Sequence, residues 1–73
     1  MNTYDLLKLH NLLSDYAAGL NKRANDVLEV YENRENDRER LATCVILYNG
    51  YKEKWLQCCR LVNDIKEDME EGN

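Results

Sequence analysis

Nine consecutive residues near the middle of the chain, Glu32-Asn33-Arg34-Glu35-Asn36-Asp37-Arg38-Glu39-Arg40, carry no apolar side chain, and helical apolar patterns run up to them from both sides. This charged interruption limits the possible folds more than any other feature. The pattern after it is the more regular. Leu41, Tyr48, Trp55, Val62 and Met69 recur every seven residues, interleaved with Cys44, Tyr51, Cys58 and Ile65, so that every a and d position of the heptad is apolar or aromatic. Such a repeat keeps one stripe of a helix facing a neighbour. Val45 and Cys59 broaden the stripe beyond a narrow two-stranded seam, which suits a bundle.

In the first half, Leu6, Leu9, Leu13, Tyr16 (with Ala17 beside it), Leu20, Ala24, Val27 and Tyr31 step by threes and fours, the spacing of one helix face. Asn2 or Thr3 is placed to accept the first-turn N–H groups, with Asp5 at the positive end of the helix dipole. Asn33 suits a left-handed helix end, and Asn36 followed by Glu39 reads as a capping box for the second helix. The absence of proline supports long uninterrupted helices, although Gly19 and the Asn49-Gly50 pair are weak points. Acidic residues crowd the C-terminus, where the helix dipole is negative, so that end is expected to fray.

The expected architecture is therefore all-α: a helix over about 3–32, a polar turn over about 33–36, a helix over about 37–70 and a frayed acidic tail, in one domain of 73 residues. Two helices of ~45 and ~50 Å would fold back as an antiparallel hairpin. Two other arrangements compete. The second heptad carried backwards meets Val27, Leu20, Leu13 and Leu6, which allows one long parallel coiled coil, at the cost of placing Arg23, Arg34 and Asp37 in its seam. A break at Asn49-Gly50 would give three helices.

A lone hairpin cannot dry its whole apolar surface, and Leu7, Leu12, Leu28, Leu47 and Leu61 fall on the flanks of the stripes. A chain this short is marginal by itself. Pairing two hairpins into a four-helix bundle removes that exposure, so homodimerisation is expected, with Leu6, Leu13, Leu20, Val27, Leu41, Tyr48, Trp55 and Val62 building the bundle.

Chemistry is sparse. His10 is the single histidine; Ser14 lies one turn on, but no Gly-rich loop or strand-to-helix turn builds a cleft around them. Cys44, Cys58 and Cys59 lack paired Cys-x-x-Cys spacing, and two of them occupy d positions, where a thiol packs as a small apolar group. We therefore expect no enzyme activity, no cofactor and no metal. The net charge of −4 opposes nucleic-acid and anionic-membrane binding, and no apolar run is long enough to span a bilayer. With no secretory leader legible, a cytoplasmic location is the expectation.

What remains is binding to another protein. Tyr51, Ile46 and Leu56 on the second helix and Arg34, Arg38 and Arg40 at the turn are the candidate partner contacts. Small acidic helical chains of this kind resemble phage and mobile-element accessory factors that inhibit a host enzyme, which implies a modulating or inhibitory role. The alternatives are a nucleic-acid-associated regulator using Lys22, Arg23 and the turn arginines, and an acidic mimic of the DNA backbone. The small helical-hairpin phosphatases of sporulation relays share the expected architecture, but their Ser-Gln-Glu-Leu-Asp signature is absent.

Overall fold

The computed structural model describes residues 2–33, 35 and 37–71. It is all-helical: α1 spans Thr3–Glu32, α2 spans Arg38–Glu71, and the two pack against each other as an antiparallel hairpin of 54 × 14 × 13 Å. Neither the long continuous coil nor the three-helix arrangement is adopted. α2 passes through Asn49-Gly50 without a break, and no described residue has a positive φ. Glycine there costs about 1 kcal/mol of helix propensity relative to alanine. Seam residues on both sides of it, Tyr48 and Tyr51, pack on the hairpin axis and hold the helix together.

The caps explain where the helices begin and end. Asn2 caps α1, its side-chain Oδ1 accepting from the Asp5 amide at 2.8 Å. At the other end the backbone corrects the sequence reading. Asn33 is extended, with φ −77° and ψ 98°, and is not left-handed. Its amide donates to the Val30 carbonyl at 3.2 Å, and its side chain accepts from the Glu35 amide at 3.2 Å. An Asn side chain that closes such a local turn removes the need for a left-handed residue. The second cap is also shifted from the expected capping box. Asp37 accepts from the Arg40 amide at 2.8 Å, and its carbonyl accepts from the Leu41 amide at 3.0 Å. A carboxylate at this position satisfies an orphan donor and complements the helix dipole together. Asn36 lies outside the described residues.

The seam follows a strict 3–4 alternation on both helices. On α1 it runs through Leu6, His10, Leu13, Ala17, Leu20, Ala24, Val27 and Tyr31, all buried or half-buried. On α2 the nine heptad positions from Leu41 to Met69 are likewise buried or half-buried. The centre is thin and made of small side chains. Leu20 is 3% exposed and Ala24 0%; the other buried residues are Ala17, Cys44, Cys58 and Ile65. No polar or charged residue is buried among those described. Leu9 and Tyr16, read from sequence as part of the α1 stripe, lie outside it and are exposed. Ala17 and Ala24, read as part of the same stripe, are buried, because small residues let the two backbones approach while a tyrosine would hold them apart.

Candidate interaction surface

Seven-residue steps sort the remaining positions onto two flanks of the hairpin. On one, Asn21 stands level with Lys52, Ser14 and Cys59 line one depression, and Leu28 and Val45 line another. The neighbouring outward positions on this flank add Asn11, Asn25, Asn49 and Asn63. It is mostly uncharged and rich in amides. On the opposite flank, Val27, Val30, Arg40, Thr43, Cys44 and Leu47 line an open groove of about 540 Å³ beside the turn.

Lys52 ties the two helices together through its side chain. Its Nζ donates to Asn21 Oδ1 at 3.0 Å and sits 4.6 Å from the centroid of the Trp55 ring and 5.9 Å from that of Tyr48. The ammonium thus keeps a hydrogen-bond acceptor and two aromatic faces while its stem covers the seam. Sequence reading missed it. The signal was available: Tyr48, Lys52 and Trp55 lie at i−4, i and i+3, neighbours on one helical turn.

The candidate residues fall as follows. Leu20 is buried, whereas Leu6, Leu13, Val27, Leu41, Tyr48, Trp55 and Val62 are half-buried. Trp55 packs on the cluster of Ala17, Leu20 and Cys58, as do Tyr51 and Cys59. Tyr51, read as a partner contact, is therefore already engaged inside the hairpin, as its d position requires. Ile46 is 71% exposed on the outer side of α2, and Leu56 is exposed on the amide-rich flank. Ten residues apart, they are about 80° apart around the helix and do not form one patch. Arg38 and Arg40 are exposed at the turn. Arg34 lies outside the described residues. Asp37 and Glu39 line the same groove as Arg40, so the local charge is mixed.

His10 is half-buried on the seam, not beside it, with Nδ1 3.3 Å from Asn11 Oδ1. Cys44 and Cys58 are buried free thiols, and Cys59 is a half-buried one. Among the described residues no three His, Cys, Asp or Glu side chains converge on a point that could hold a metal. No helix there is long and apolar enough to cross a membrane.

The feature that stands out is apolar area left in water. Tyr4, Leu7, Leu9, Leu12, Tyr16, Leu28, Val45, Ile46, Leu47, Leu56 and Leu61 are all exposed. Single exposed leucines are ordinary on a folded protein, but eleven large apolar side chains in water form a dense set on a two-helix chain. Compared with known protein families, curated proteins and solved structures, the chain matches none.

Proposed function

We propose that the hairpin is a non-enzymatic protein–protein interaction module that pairs with a second copy of itself and binds another protein, modulating or inhibiting it. The observation that carries the reading is the exposed apolar set on both flanks, in a chain whose own seam buries Leu20 and Ile65 as its only large side chains among the described residues. Burial of apolar surface contributes roughly 25 cal/mol per Å², so an arrangement that covers one flank gains what the isolated hairpin lacks. The groove beside the turn, with Val27 and Leu47 as its apolar lining and Arg40 at its edge, is the part best suited to another protein. Arginine beside an apolar pocket is a frequent combination in binding hot spots. Arg34, Arg38 and Ile46 extend the proposed partner contacts, whereas Tyr51 is engaged in the seam and Leu56 lies on the other flank.

Sedimentation equilibrium on the intact chain over a range of concentrations tests the pairing. A mass of two chains that dissociates on dilution supports it. A mass of 8.6 kDa at every concentration rejects it.

A further inference from the structure

The proposal that the chain pairs with itself leaves open which flank is used and in which direction, and the charge pattern of one flank answers both. Val30 and Leu47 face each other across the groove beside the turn. Seven residues further toward the open end the same two edges carry Arg23 and Lys54, then Tyr16 and Leu61, then Leu9 and Asp68. The adjoining outward positions are Asp5, Leu12 and Gly19 on α1 and Asp64 and Glu71 on α2. The open-end half of this flank therefore has an apolar cluster of Leu9, Leu12, Tyr16 and Leu61, all exposed, with Leu12 at 59%. Carboxylates border it on the side of the chain ends, and Arg23 and Lys54 border it on the side of the turn.

We infer that this cluster is the dimer interface, and that the second copy docks antiparallel, like helix over like helix, about a two-fold axis close to Tyr16 and Leu61. With that axis each element of the flank meets a complement. Tyr16 and Leu61 pack near their own counterparts. Leu12 falls opposite Gly19, where nothing lies within 4 Å of the position a Cβ would take, so a side chain from outside finds room. Lys54 falls opposite Asp68 of the second copy, with Asp64 one turn away, and Arg23 falls opposite Leu9, one turn from Asp5, which its long side chain can reach. An apolar centre edged by paired charges is the usual anatomy of a specific interface.

The two other arrangements are worse on the same residues. A parallel pair over this flank puts Arg23 on Lys54 and Asp5 on Glu71, like charge on like. Docking through the opposite flank would dry Asn25, Asn49 and Asn63 together with Ser14, and buried amides without partners are costly. The antiparallel arrangement also leaves the groove beside each turn open for another protein.

The inference rests on the pairing proposed above, and its test separates the two. Sedimentation equilibrium is run on the wild type, on Leu12→Glu and on Leu56→Glu, which alters the amide-rich flank. The expected result is two chains for the wild type and for Leu56→Glu, and one chain for Leu12→Glu. Charge variants read the direction. Lys54→Glu and Asp68→Lys are each expected to weaken pairing by about tenfold, and the double variant to regain most of it. Fourteen residues separate those positions, about 21 Å along one helix, so the rescue has to act between chains. A dimer lost by Leu56→Glu and kept by Leu12→Glu overturns this interface while leaving the pairing intact. A double variant no better than the two singles overturns the direction. A wild type that is monomeric throughout rejects the pairing and this interface together.

Discussion

Replacing Leu20 with alanine probes the packing argument most sharply. Leu20 is 3% exposed and sits among Ala17, Cys58, Tyr51 and Trp55 at the middle of the seam. In well-packed cores the change costs about 2.7–5 kcal/mol, the sum of lost transfer energy and the cavity left behind. Ala17 and Ala24 are too short to move into the space, so the cavity persists. The flanks are open, however, so the surroundings can relax in part, and we expect about 3 kcal/mol. Small domains seldom have more than about 3–5 kcal/mol to lose, and 3 kcal/mol is roughly a 150-fold change in the folding equilibrium. Urea denaturation followed by far-UV circular dichroism, at one fixed chain concentration because pairing couples to stability, measures the loss. Ile46→Ala is the reference: its side chain is 71% exposed, and the expected change is within about 0.5 kcal/mol. Equal losses for the two variants, or a Leu20→Ala loss below about 1 kcal/mol, would refute the seam described here.

Three further outcomes follow from local geometry. Lys52→Met keeps the apolar stem but removes the ammonium from Asn21 and from the Trp55 ring; it should cost about 1 kcal/mol and shift the emission of Trp55, the single tryptophan, whereas Lys22→Met, at an exposed position on the outer side of α1, should leave that emission unchanged. Asp37→Ala removes the cap of α2 and should lower stability by about 1 kcal/mol in the same urea assay, with Asp37→Asn recovering most of the loss. Thiol labelling of the native protein should modify Cys59 first, with Cys44 and Cys58 reacting only as fast as the hairpin opens.

The hairpin itself was legible because the charged stretch from Glu32 to Arg40 separates two strong helical patterns, and no seam can run through it cheaply. The choice of residues within α1 was less legible. Leu9 and Tyr16 satisfy a helical spacing as well as Leu13 and Ala17 do, and hydrophobicity alone ranks tyrosine above alanine. Close approach of two backbones reverses that ranking, and it is a property of the pair of helices that one helix's sequence does not display. α2 was easier because its heptad has no such alternatives. The Asn2 cap of α1 was legible, but the caps at the turn were not: Asn33 and Asp37 are both good capping residues, and how each acts depends on how the turn closes. The exposed apolar flanks were visible as an excess of flanking leucines, but the sorting of Arg23, Lys54, Asp64 and Asp68 onto one flank required the antiparallel register.

Small-angle X-ray scattering of the pure chain tests the central claim, that two hairpins pair antiparallel over one flank about an axis close to Tyr16 and Leu61. The isolated hairpin is 54 Å long, with a Cα radius of gyration of 16.5 Å. The account predicts a two-chain forward-scattering mass and a maximum dimension of only about 65–70 Å, since the two turns project beyond opposite ends of the shared segment. A one-chain mass, or a rod of about 105 Å formed by unfolded-back helices, would contradict it.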